Sequence, residues 1–220
     1  MTIKEYYNQL AKSYDENRFE NSYGQYIDAQ ERKFLKIFFQ NKLLQQILDL
    51  GCGTGRLLNF ATHGADFSTE MLEIAQNKHP SKNLKLGEIS KIPFDNLFDC
   101  IFSFDVIMHQ TRQETIQFLG ECYLKLEDNG YLIFDYPTKA RRKVGSEQEN
   151  WHANNAYSES EIEDITSQQW KTVNKVGILF FPIQRIPKSL RKYFLPIDQL
   201  ICRSYLKRWA SYQIVILQKR

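Results

Sequence analysis

Asp49, Gly51, Gly53 and Gly55 are the residues of this chain whose types and spacing point most directly to chemistry. Glycine at alternate positions lets a backbone turn sharply and approach a ligand that a Cβ would hold off. A carboxylate two places ahead of the first glycine can face a positively charged ligand group. Ile47, Leu48 and Leu50 around Asp49 read as a buried strand, and the residues from Arg56 onward as the start of a helix. The free N–H groups of a helix start favour a ligand carboxylate or phosphate. Strand, glycine turn and helix together describe a cofactor cradle at the carboxyl end of a parallel sheet. A dinucleotide fits it poorly. That fingerprint is G-x-G-x-x-G with an acid about 20 residues on, whereas the spacing here is G-x-G-x-G and Asp66 follows Gly55 by only eleven positions.

The pattern Asp49-x-Gly51-x-Gly53-x-Gly55, with Cys52 inside it, resembles the first motif of the class I methyltransferases that use S-adenosylmethionine (SAM). Later segments extend the resemblance in order to about residue 137. Gly64-Ala65-Asp66-Phe67-Ser68-Thr69-Glu70-Met71 resembles the end of the second strand and the helix behind it. Leu84-Lys85-Leu86-Gly87-Glu88-Ile89 resembles the third strand and its turn. Phe98 to Asp105 resembles the fourth strand, and Leu124 to Phe134 a helix, a turn and the fifth strand. The resemblance implies that Asp49, Gly51, Cys52, Gly53 and Gly55 shape the methionine end of SAM. It implies that Asp66 accepts both ribose hydroxyls, as two carboxylate oxygens suit two adjacent donors. By the same resemblance Glu88 and Ile89 meet the adenine, and Phe67, Met71 and Ser103 complete the cofactor site. N-terminal helices close over the cofactor in similar enzymes, which brings in Tyr14, followed by Asp15. The product would be S-adenosylhomocysteine.

Methyl transfer from a sulfonium asks mainly for alignment and partial dehydration. A general base is needed only where the acceptor keeps its proton near neutral pH. The acceptor zone of this fold lies beyond the fourth and fifth strands, near residues 103–110 and 135–138. His109 is the base candidate there, since an unperturbed imidazole titrates near pH 6.5; Asp105 and Tyr136 are the other catalytic candidates. Lys139-Ala140-Arg141-Arg142-Lys143 borders the same zone and would attract an anionic acceptor, or simply be solvated. Trp151 and His152 would belong to a lid.

The elements that must position these residues follow from patterning. Residues 30–39 are amphipathic, and the earlier part is dense in tyrosine (Tyr6, Tyr7, Tyr14, Tyr23, Tyr26). The spacing 56–66 predicts a very short first helix at 56–60 and a clipped second strand at 61–65. Thr111-x-x-Glu114 and Ser158-x-x-Glu161 are capping boxes opening helices. Residues 171–181 and 211–218 read as the sixth and seventh strands. The whole is α/β, a Rossmann-like doubly wound sheet of seven strands, mostly parallel. The last strand is antiparallel by resemblance. An N-terminal helical lid precedes the sheet, and a helical insertion precedes the last strand. One domain over 1–220 is expected: helices at 1–40, the cofactor-binding core at 41–137 and an acceptor-side half at 138–220.

Residues 185–208 hold seven basic residues and one acid, Asp198, a local charge of +6 in a chain of net +3. The basic charge is therefore local and not global. Interleaved with Leu190, Tyr193, Phe194, Leu195, Leu200, Ile201 and Trp209, it suits a membrane-surface helix, a pocket lid over the acceptor or, less well, RNA. No apolar run reaches the roughly 18 residues of a membrane span, and no signal-peptide core opens the chain. Cys52, Cys100, Cys122 and Cys202 lack metal-ligand spacing, so free thiols in a cytoplasmic protein without a metal are expected. The activity expected is methylation of a small-molecule or lipid-linked acceptor. RNA or protein methylation and a SAM-binding regulatory subunit are the alternatives.

Overall fold

The computed structural model describes residues 3–142 and 155–220. Lys143, Trp151 and His152 lie outside the described residues. The chain opens with helices α1 (Ile3–Leu10), α2 (Tyr14–Phe19) and α3 (Ser22–Phe39), and then enters strand β1 (Ile47–Leu50). There follow β2 (His63–Asp66), α4 (Thr69–Lys78), β3 (Asn83–Leu86), β4 (Phe98–Ser103), α5 (Arg112–Lys125) and β5 (Leu126–Pro137). The last elements are α6 (Glu159–Thr166), β6 (Trp170–Ile178), α7 (Arg191–Ile201) and β7 (Tyr212–Lys219). The strand order is β3-β2-β1-β4-β5-β7-β6. Strands β1 to β5 pair in parallel, and β7 runs antiparallel to both β5 and β6.

The alternation along the strands explains why the sheet is covered on both faces. Leu48, Ile101, Leu132 and Phe134 bury into one apolar cluster, under α5 and α6. Ile47, Cys100, Phe102 and Ile133 bury into another, under α3. Successive side chains of a strand point to opposite faces, so Asp49 shares the face of Ile47. Strand order reverses between β1 and β4, and ligands of open α/β sheets bind outside the carboxyl ends of the strands at such a point.

The expected first helix at 56–60 is not formed. Residues 53–57 are turns, followed by a single 3₁₀ turn at Leu58–Phe60, and β2 starts at His63 and not at 61. The reason is length. Residues 56–62 must carry the chain back past β1, about 13 Å for four residues of strand. Seven α-helical residues rise only about 10 Å, whereas turns and 3₁₀ geometry stretch further per residue. The free N–H groups of an α-helix are therefore not what the glycine loop offers. Both capping boxes form, at Thr111 and Ser158, and Asn129 takes the positive φ (61°) of the turn inside β5.

The helical insertion before the last strand is formed. It holds one α-helix, α7, which runs through Pro196 and is flanked by 3₁₀ turns at Ile183–Arg185 and Tyr205–Trp209. Its one acid is an anchor. Asp198 is fully buried and accepts from the Tyr26 hydroxyl (2.8 Å), Gln30 Nε2 (3.3 Å), Phe180 N–H (2.9 Å) and Cys202 Sγ (3.2 Å). These bonds fasten α7 to α3 and to the end of β6. Losing the acceptor would strand several buried donors, so Asp198→Ala should lower stability by about 3 kcal/mol. Urea unfolding checks this, with Asp198→Asn expected to fall between.

Candidate active site

The loop after β1 is held in shape by its own backbone and by Asp66. Gly51 and Cys52 donate N–H bonds to Ala65 O (2.7 and 3.0 Å), and Gly53 N–H donates to Asp66 Oδ2 (2.8 Å). Gly51 has φ +81°, and a Cβ there would meet Val106 Cγ2 at 2.5 Å. Gly53 has φ +51°, and a Cβ there meets no protein atom within 4 Å; it would project into the cavity that this residue lines. Asp66 Oδ1 also accepts the Ser68 N–H (2.9 Å). Burial pushes the Asp66 carboxyl up to about 6, against the pull of the N–H groups it accepts.

That cavity, about 470 Å³, is lined by Gly51, Gly53, Asp66, Phe67, Met71, Glu88, Ile89 and Tyr14. Asp49 and Cys52 line a small adjoining pocket of about 40 Å³. Burial raises the Asp49 carboxyl to about 8, Arg56 pulling it down and Asp66 pushing it up. A cationic ligand group beside Asp49 would favour its ionised form. Two expected cofactor residues are not on the walls. Gly55 packs its turn against His79, whose Nε2 meets the Gly55 carbonyl at 2.9 Å. Ser103 closes β4, fully buried.

Helices α1 and α2 cover the loop and are tied to it. Thr54 Oγ1 donates to Asp15 Oδ1 (2.5 Å), Lys78 pairs with Asp15, and Ser68 Oγ donates to Asn8 Oδ1 (2.6 Å). Under them lies a second cavity of about 430 Å³, with a wall of tyrosines (Tyr6, Tyr7, Tyr14, Tyr23, Tyr212). The two large cavities share Tyr7, Tyr14, Asp105 and His109. Tyr7 Oη and His109 Nε2 are 3.0 Å apart, and the ring of Tyr7 also meets Phe67 and Tyr14 edge-on. Burial pushes the Tyr14 hydroxyl up to about 12 and that of Tyr7 higher still, so both stay protonated.

Asp105 adopts a left-handed φ of 60°, which aspartate tolerates better than most residues. Its N–H donates to Asp135 Oδ1 (2.8 Å), and its carboxylate faces Arg56 Nη2 at 3.4 Å. Arg56 also pairs with Glu31 (2.5 Å) and Asp28 (2.8 Å) and lies over the Phe19 ring. Burial lifts the Glu31 carboxyl to about 7 and raises Asp135 well above the carboxylate range, helped there by the charges of Asp105 and Glu31. Glu31, Asp105 and Asp135 each bring one oxygen within 4.8 Å of the others. Two of them, Glu31 and Asp105, pair with the Arg56 guanidinium. This network had no sequence signal, because its members are scattered over more than a hundred positions.

Tyr136 is not brought to either cavity. It is fully buried in β5, its hydroxyl donating to Gln213 Oε1 (2.5 Å), so it braces β5 against β7. Of the described basic residues after β5, only Arg142 lines the tyrosine cavity. Lys139 pairs with Glu161 (2.5 Å), and Arg141 donates to the Trp209 and Phe180 carbonyls (2.7 and 2.5 Å). No residue of 185–209 lines either cavity, so the insertion is not the pocket lid that its position suggested.

Residues 48–134 match the family model described as a methyltransferase domain. "Uncharacterized protein MJ1252" of Methanocaldococcus jannaschii is 28% identical over 96% of this chain and 88% of its own length. The demethylmenaquinone methyltransferase of Streptomyces avermitilis is 36% identical over 44% of this chain and 45% of its own. tRNA methyltransferases are also among the relatives. A SAM-dependent methyltransferase from Thermotoga maritima superposes over 100% of both chains with a TM-score of 0.72 at 18% identity, a likeness of fold.

Proposed function

Since this chain belongs to the class I SAM-dependent methyltransferases, we propose that it methylates a small-molecule acceptor held in the tyrosine-lined cavity. The observation that carries this reading is the wall of Tyr7, Tyr14, Asp105 and His109 common to two cavities of about 470 and 430 Å³. One cavity suits SAM and the other an acceptor of similar size, each within the range of ordinary ligand pockets. The residues present fit SAM. Gly53 leaves open the space its Cβ would fill, and Asp66 keeps lone-pair capacity beyond the N–H groups it accepts from Gly53, Phe67 and Ser68. When bound, SAM supplies an electrophilic methyl carbon on a sulfonium.

The chain's own residues then have defined tasks. The Gly51–Gly53 backbone, Asp66, Phe67, Met71, Glu88 and Ile89 bind and orient the cofactor, and Asp49 receives its cationic end. The α1–α2 cover excludes water, which favours loss of charge in a displacement at sulfonium. Tyr7 and His109 act as a pair that takes one proton from the acceptor as its nucleophile is methylated. Asp105, fixed by its backbone bond to Asp135, orients the acceptor. The reading takes the enzyme as cytoplasmic; no described helix is long and apolar enough to cross a membrane.

One observation favours a second reading, a lipid-linked acceptor. Leu190, Tyr193, Ile197 and Leu200 are exposed at i, i+3, i+7 and i+10 along α7, with Tyr205, Leu206 and Trp209 beside them and Lys188 and Lys192 interspersed. That is the make-up of a helix lying on an anionic lipid surface.

Transfer of radiolabelled methyl from SAM into a host-cell extract, followed by phase separation, tests both. Label in the aqueous small-molecule fraction is expected. Label in the organic phase moves the reading to the lipid-linked acceptor and makes α7 its docking helix. Label in RNA or protein overturns both.

A further inference from the structure

Resting on that reading of the tyrosine-lined cavity, we propose that Arg142 and Arg18 form an oxyanion subsite, so that the acceptor carries a carboxylate or phosphate at the end remote from the methylated atom.

Arg142 Nη1 is buried and has no hydrogen-bond partner among the described residues. Buried guanidinium N–H groups are nearly always paired, since each one left without a partner costs its full desolvation. Arg18 lines the same cavity and makes no ion pair among the described residues; it hydrogen-bonds the neutral Tyr14 hydroxyl and feels the Asp105 charge only at longer range. This contrasts with Arg56, which pairs with three carboxylates, Asp28, Glu31 and Asp105. Tyr23 and Tyr212 stand near Arg142, and burial keeps both hydroxyls protonated and able to donate. Two guanidiniums and neutral phenols outnumber the one carboxylate on this wall, Asp105, which Arg56 already engages, and a carboxylate or phosphate complements the surplus donors with short charge-assisted bonds.

The position also gives the acceptor a direction. Arg18 and Arg142 line only the tyrosine cavity, whereas Tyr7, Tyr14, Asp105 and His109 face the cofactor cavity as well. An acceptor anchored by its anion on the arginines thus turns its other end to Asp105 and the Tyr7–His109 pair.

The test uses the full chain saturated with S-adenosylhomocysteine. Inorganic phosphate and acetate are titrated at constant ionic strength against chloride, and binding is followed by calorimetry and thermal shift. Phosphate or acetate should bind measurably at tens of millimolar where chloride does not, and the stronger of the two names the acceptor's anionic group. Arg142→Gln should weaken that binding about tenfold or more while the affinity for S-adenosylhomocysteine stays unchanged. Lys139→Gln, in the same basic run but paired with Glu161, should leave it unaffected. Equal effects of all three anions, or wild-type binding by Arg142→Gln, would overturn the subsite. Failure of S-adenosylhomocysteine itself to bind would instead overturn the cofactor reading.

Discussion

Gly53→Val will abolish SAM binding, with affinity falling at least about a hundredfold, in a protein that remains folded. Two effects combine. At φ +51° a residue with a Cβ pays about 1–2 kcal/mol, and a β-branched one more. That strain falls on one loop residue and lowers stability modestly. The larger effect is steric: a Cβ there meets no protein atom, so the added side chain enters the space proposed for the cofactor. The strain also pulls the Gly53 N–H off Asp66, disturbing the carboxylate proposed to hold the ribose. Calorimetric titration with S-adenosylhomocysteine, beside circular dichroism for the fold, reads both. Gly53→Ala should give an intermediate loss. Wild-type affinity in the valine variant would remove the loop from the cofactor site.

His109→Ala will lower turnover by about a hundredfold, the lower range for a missing general base, and leave cofactor affinity within about twofold. The reasoning rests on the 3.0 Å contact between Nε2 and the Tyr7 hydroxyl at the wall common to both cavities. Tyr7→Phe removes one half of the pair while keeping the ring that packs on Phe67. It should therefore lose less turnover than His109→Ala, and the double variant should lose little more than His109→Ala alone, as groups acting as a unit do. Turnover unchanged in His109→Ala would mean that the acceptor arrives already deprotonated.

What was legible in the sequence was what is local. The glycines, the apolar alternation of β1, β4 and β5, and the two capping boxes each declare themselves within a few residues. Even the shortness of the connection after Gly55 could be counted, though not that it would forgo an α-helix altogether. The proposed site was legible only where it sits on that local frame, as with Gly53, Asp66 and His109. Tyr7 meets His109 across 102 positions, and no spacing rule connects them. Arg142 is one of several cations in a row, and only packing decides that Arg141 turns to backbone carbonyls while its neighbour turns to the cavity. Tyr136 and Ser103 show the other side of this: their positions near strand ends suggest function, whereas the side chains of both are fully buried and line neither cavity. Asp198 looks like the exception in a basic helix, yet it is the group that holds the helix on.

The ties from α2 to the glycine loop, Asp15 to Thr54, and from α1 to the start of α4, Asn8 to Ser68, bear on the pace of the proposed catalytic cycle. The same two helices line both cavities, so a cycle that opens this cover to exchange reactants and products undoes and remakes these bonds at each turnover. Release, and not chemistry, then becomes the natural speed limit. A pre-steady-state burst of methylated product and a rate that falls with solvent viscosity would be its kinetic signature.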